Sequence, residues 1–210
     1  NNINLHSDGG QIIHQGAGEL RIVASGTFDN RDGTLATRGV LNFQADAIDN
    51  RAGKLIAGKQ LDITIDAINN QGGLIQSGDG LSLVLQDFDN SQGGQVLIGG
   101  STAAQLNVSH FFNNRDGSVI YQGDNSLTLN AGSFSNVNGI LGGSGNLDII
   151  IDSLFDNTDG QVIGETLVRM TASELLNLGE GYLEANRLQL GVDQIVNENI
   201  IFASGTTGES

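Results

Sequence analysis

Three side-chain types in this sequence could do chemistry, and each is spaced in a way that limits what it could do. The histidines are His6, His14 and His110. None stands in a Ser or Cys arrangement with a defined partner, as nucleophilic catalysis requires. They read as structural or surface residues. The strings Asp29–Gly33 and Asp156–Gly160 have the form Asp-Asn-x-Asp-Gly, which invites a calcium reading. They lack the spaced carboxylates and distal Glu of an EF-hand loop. Asp29, Asp49 and Asp89 could form an outward carboxylate row, interrupted by Asn69, and a solvated acidic face is its simplest reading. The third set is basic. Arg31, Arg38, Arg51, Lys54 and Lys59 are five of nine Lys and Arg in a chain of net charge −15. Arg31 and Arg51 share one sequence phase, so Arg31, Arg51, Lys54 and Lys59 form a candidate site for acidic glycans. Local pairing of the two arginines with Asp29 and Asp49 competes with that reading.

The elements that would carry these residues follow from a repeat. Asn recurs at Asn30, Asn50, Asn70, Asn90, Asn114, Asn136, Asn157, Asn177 and Asn197. Two residues before each stands a large apolar residue, from Phe28 and Ile48 through Phe155 to Ile195. Three or four residues after it there is usually Gly, as at Gly33, Gly53, Gly73 and Gly94, then a further apolar residue such as Leu35 or Leu55. Alternating triplets complete the unit: Leu41-x-Phe43-x-Ala45, Leu61-x-Ile63-x-Ile65, Leu81-x-Leu83-x-Leu85 and their later copies. The copy before Asn114 reads as imperfect, with Leu106-x-Val108 followed by His110. The array is expected to start near Ser7–Gly10.

Alternation of period two inside a period of about 20 residues means short strands joined by turns. One such unit cannot bury its apolar positions alone and must stack on its neighbours. The expected fold is all-β: a parallel β-helix of about nine coils of roughly 20 residues, with three short strands per coil. Residues 1–210 are expected to form one β-helical segment, clearest over 10–203, with 204–210 a polar tail. Zero Pro fits strands flanked by coils above and below, where Pro would delete a ladder hydrogen bond. The Gly that follows the Asn is expected to supply positive φ at a corner or to let the backbone turn tightly. Asn holds all nine corner positions and Asp none, which favours an inward ladder of amides over ordinary turn residues. Stacked Asp would set like charges about 4.8 Å apart in the core.

The units FDNRDGTLAT, IDNRAGKLIA, INNQGGLIQS, FNNRDGSVIY and FDNTDGQVIG, each followed by an alternating apolar strand, resemble filamentous haemagglutinin repeats. Those belong to the large exoproteins of bacterial two-partner secretion, which include adhesins and contact-dependent growth-inhibition effectors. The resemblance spans about residues 10 to 203. It implies a right-handed β-helix, a segment of a filament shaft, secreted and displayed at the bacterial cell surface. The partners it implies are an outer-membrane barrel transporter, neighbouring repeats of the filament, and a receptor or glycan on a host or neighbouring cell. No secretion-signal domain, toxin domain or pretoxin motif is recognisable, so the chain reads as a piece of shaft. Zero Cys and zero Pro suit an exported chain, since neither a disulfide nor slow isomerisation obstructs threading and folding.

Composition excludes several classes. Asp and Glu at 24 against 9 Lys and Arg argue against nucleic acid and against anionic membrane surfaces. The absence of Cys removes thiolate metal sites and disulfides. No cofactor or metal is expected, and no enzymatic activity. The competing readings are a carbohydrate-active β-helix enzyme, which needs acidic residues clustered in a loop-walled groove, and an ice-binding solenoid, which needs a Thr column that is absent. The one visible loop expansion, Gly99–Gln105, holds small and polar residues.

Overall fold

The computed structural model describes residues 5–6 and 9–205. The positions Ser7 and Asp8 of the expected array start, and 206–210 of the polar tail, lie outside the described residues. Among those described there is no helix; parallel strands stack as a β-solenoid of about 9 turns, about 21 residues apart. Each coil has three faces, which the coil ending at Asn50 illustrates. Its first-face strand is Thr34–Thr37, its second-face strand Leu41–Gln44 and its third-face strand Ala47–Asp49. Strands pair in parallel with their equivalents in the neighbouring coils: Leu35 with Leu55, Phe43 with Ile63, Ile48 with Ile68. Later in the chain the corners extend into the ladder, and Gln161–Asn177 and Tyr182–Asn197 each run through all three faces.

Strand alternation sends one set of side chains inside. Leu35, Leu55, Ile75, Val96, Val119, Leu141, Val162 and Leu183 form a fully buried first-face column. The residues two before the corner Asn form another. In it Phe88, Phe112, Phe134 and Phe155 stack with ring centroids 4.8–4.9 Å apart. That spacing equals the strand separation, so the backbone ladder holds the rings at stacking distance.

The longest step, Asn90 to Asn114, shows where a coil takes up extra residues. Relative to the preceding coil, one is added before Gln95–Ile98, two in the corner before Ala104, and one at Ser109–His110. Register pairs Leu83 with Leu106 and Ala104 with Leu127. The triplet here is therefore Ala104-x-Leu106-x-Val108, intact, and His110 belongs to a bulge. The sequence misleads because Ala104 is small and the bulge shifts the following residues by one.

The glycines differ from one of the two roles expected. Positive φ falls two residues after the corner Asn, at Asp32, Ala52, Gly72, Gln92, Asp116, Asn138, Asp159 and Gly179, with φ between 53° and 61°; Gly93, at 83°, adds a second such residue in the lengthened corner. The conserved spacing of Gly instead reflects close approach. A Cβ on Gly53 would overlap the Asn30 carbonyl oxygen of the coil below and lie 2.7 Å from Asn50 Oδ1. The corner is a four-residue turn, closed by the Gly53 N–H donating to the Asn50 carbonyl at 3.0 Å.

Candidate functional site

Two rows meet at the Asn corner, one buried and one at the rim. In the buried row, Asn30, Asn50, Asn70, Asn90, Asn114, Asn136, Asn157 and Asn177 have no solvent exposure. Each side-chain Nδ2 donates to the Oδ1 of the next Asn, at 2.6 Å for Asn30 to Asn50 and 2.7 Å for Asn177 to Asn197. The same Nδ2 faces two backbone carbonyls. For Asn90 these are Gly94 and Ser118, both at 3.1 Å. One amide therefore ties its own turn to the coil above, adding a second donor to the Gly94 carbonyl, which also accepts the Ser118 N–H at 2.9 Å. Reversing the amide would turn Oδ1 onto those carbonyl oxygens, so only one orientation works. Asp fails for the same reason, since both its oxygens are acceptors when ionised. Asn197 stands apart: it is exposed, accepts from Asn177, and donates to the Asn199 carbonyl at 2.9 Å.

The rim row sits one residue earlier. Asp29, Asp49, Asn69, Asp89, Asn113 and Asp156 each accept the backbone N–H of the residue two positions on, at 3.0–3.3 Å. This Asx arrangement pins the start of every such turn. Sequence reasoning saw the carboxylates as a solvated row and missed the backbone bonds. The signal was present: Asn replaces Asp at Asn69 and Asn113, which an acceptor role permits and a charge role does not. With oxygens committed to amides, the row is poorly arranged to wrap a calcium ion.

Arg31 and Arg51 extend this rim. Arg31 grips Asp29 in a fork, Nε to Oδ1 at 2.9 Å and Nη2 to Oδ2 at 2.6 Å. Arg51 grips Asp49 with the same two distances. Arg31 Nε also lies 3.7 Å from Asp49 Oδ2, linking the two coils. The Arg51 hydrogen bonds hold the Asp49 carboxyl below its usual pKa, against a smaller opposing effect of burial, and Asp49 in turn raises Arg51. Lys54 and Lys59 are exposed, and among the described residues neither is in salt-bridge contact. Lys54 opens the first-face strand Lys54–Ala57, and Lys59 lies in the turn two residues past its end.

The histidines do not assemble a catalytic pair. His14 Nδ1 lies 2.9 Å from Thr37 Oγ1, but that hydroxyl is buried and accepts the Gly39 N–H at 3.1 Å. His110 Nδ1 is 3.7 Å from Asp87 Oδ2 on an exposed bulge. For His6 only the backbone is described; it pairs with Asp29. An open groove of about 690 Å³ runs along the corner between the second and third faces. Asp46, Asp66 and Asp152 line it at exposed turn positions, with Val84 and Ile150 beside them. It has no walling loops to exclude water from a reacting bond. In the lengthened corner, Asp79 Oδ1 accepts the Ser101 and Thr102 N–H groups at 3.0 and 3.1 Å. These bonds, Thr102 foremost, lower its pKa.

A parallel β-solenoid whose corners are bound by an amide ladder, with its polar rim committed to its own backbone, defines a structural repeat protein. The Haemagglutinin repeat family model matches residues 1–32, 15–67, 59–116 and 122–205, and the chain belongs to that family. Neither a curated protein nor a solved structure matches it.

Proposed function

We propose that the chain is a shaft segment of a secreted, cell-surface filamentous exoprotein, serving adhesion or delivery of a contact-dependent inhibition toxin. The observation that carries this reading is the unbroken amide ladder from Asn30 to Asn197, which joins every coil to the next along the axis. A rod of about nine coils at ~4.8 Å extends roughly 45 Å and transmits position without a hinge. Family membership supports the filament. Export through an outer-membrane transporter, and a receptor on another cell, belong to the same reading. Antibody against this segment should label intact bacteria that produce the parent protein, and labelling should disappear when the transporter is deleted. Labelling confined to the cell interior, or turnover of a polysaccharide by the purified chain, would refute it.

A second reading gives the segment a weak acidic-glycan site at Arg31, Arg51, Lys54 and Lys59. The exposed, unpaired Lys54 and Lys59 favour it, whereas the forks of both arginines already hold carboxylates. Such binding would be screened over a Debye length of about 8 Å at physiological salt. Retention on heparin at low salt that falls in an Arg31→Ser/Arg51→Ser double variant is the expected result. Unchanged retention would reject the site.

A further inference from the structure

One aromatic side chain is exposed although nothing in the core calls for it. On the third face, Ala47, Ala67, Asp87, Phe111 and Ser133 stack in one outward column. Phe111 follows the bulge at Ser109–His110, points away from the core and is 44% exposed. Alanine or serine serves the same position in nearby coils, so the strand does not require a ring. With Ala67, Asn69, Asp87, Asp89 and Asn113, Phe111 lines an open depression of about 260 Å³. The small Ala67 leaves the space that Phe111 walls. Most side-chain oxygens around it are committed. Asp89 Oδ1 accepts the Ser91 N–H and Asn113 Nδ2, both at 3.1 Å, and Asp89 Oδ2 accepts Gln71 Nε2 at 2.8 Å. Asn69 and Asn113 accept the Gln71 and Arg115 N–H groups, each at 3.2 Å. Asp87 differs. Its side chain is 58% exposed, and among the described residues its carboxylate has one ion-pair neighbour, His110 Nδ1 at 3.7 Å, beyond hydrogen-bond reach.

We propose that this depression binds a small organic cation of the quaternary ammonium class. An aromatic ring attracts a cation through its quadrupole, and methyl groups around the charge can pack on the ring and on Ala67 together. Asp87 supplies the counter-charge at the rim. The net charge of −15 raises the local concentration of any cation. A primary ammonium fits less well. It brings three N–H donors, and one uncommitted side-chain carboxylate faces them. A fully methylated nitrogen has no donor to leave unsatisfied, so the same shortage of acceptors does not penalise it. A choline headgroup carries the cation beside a phosphate, which Asp87 and the acidic chain repel, so the free cation is the assigned ligand. One ring is not a cage, and Asp87 is half in solvent. Affinity should therefore be millimolar.

Amide NMR of the isotope-labelled 210-residue chain, titrated with tetramethylammonium chloride, tests this against sodium chloride at matched ionic strength. Saturable shifts centred on Ala67–Asn69, Asp87–Asp89 and Phe111–Asn113 are expected. Phe111→Leu keeps an apolar wall but removes the ring, and should weaken binding at least ~5-fold. Asp87→Asn should weaken it roughly 3-fold or more. Methylammonium and phosphocholine should each bind at least ~3-fold more weakly than tetramethylammonium. Shifts no larger than those with sodium chloride, binding indifferent to Phe111→Leu or Asp87→Asn, or equal binding of methylammonium or phosphocholine would each overturn the proposal. If Phe111→Leu unfolds the chain, Phe111→Ser is the substitute, since Ser133 holds that position in the next coil.

Discussion

Replacing Asn114 by Asp separates a working amide ladder from a set of turn residues. Asn114 accepts from Asn90 Nδ2 at 2.7 Å and donates to Asn136 Oδ1 at 2.8 Å, with the Gly117 and Ile140 carbonyls at 3.4 and 3.3 Å. It has no solvent exposure. Truncation to Ala removes two rungs, each worth about 1 kcal/mol net, and strands buried partners at about 1–3 kcal/mol, for a total of roughly 3–5 kcal/mol. Ionised Asp keeps the bond from Asn90 but presents oxygen to Asn136 Oδ1 and to both carbonyls, so at pH 7 it should cost more than Ala. A protonated Asp is different, because its O–H can donate to Asn136 Oδ1. The buried carboxyl therefore has a folded pKa above its unfolded value of about 3.9. A group shifted upward favours folding more as pH falls through that raised pKa, by up to about 1.4 kcal/mol for each pH unit between the two values. The deficit of Asn114→Asp relative to wild type should therefore shrink between pH 7 and pH 4. Amide hydrogen exchange in the flanking strands, with urea unfolding at each pH, measures this locally, as a repeat array requires. Comparison with wild type at the same pH cancels the protein's own acid sensitivity. An Asn114→Ala cost within ~0.5 kcal/mol of the exposed control Gln105→Ala, or an Asp deficit independent of pH, would refute the ladder's energetic role.

Three further outcomes are expected. Leu83→Ala, at a site without solvent exposure, should lose about 2–5 kcal/mol in urea unfolding, whereas its outward neighbour Ser82→Ala should change little. At the Asn50 corner, Ala52→Gly should gain about 1 kcal/mol by relieving a φ of 53°, while Gly53→Ala should destabilise by more, since its methyl meets backbone oxygen. Asp49 has a lowered folded pKa, so its contribution is present above the unfolded value and lost as pH falls below about 4; Asp49→Asn should flatten the acid limb of the stability curve measured by thermal denaturation.

Sequence alone determined the strands, their inside and outside faces, and the stacking. Alternation fixes which side chains share a face, and the repeat of about 20 residues forces equivalent positions into columns. Phe28, Ile48, Ile68 and Phe88 could only be one column, and nine Asn at one phase could only be one row. Three things waited for the tertiary structure. The four extra residues between Asn90 and Asn114 had no address until pairing with both neighbours set the register, which moved Ala104 into the core and His110 out. The role of Gly53 depended on a carbonyl from the coil below, twenty-three residues earlier, which no local turn rule can see. The low charge of the first face, whose strands point only Lys54 and Glu184 outward among charged residues, was hidden for a related reason. Its outward residues recur at irregular steps, Leu97 to Ile120 to Gly142, and share a surface only because hydrogen bonds between coils, not chain spacing, decide which residues lie side by side.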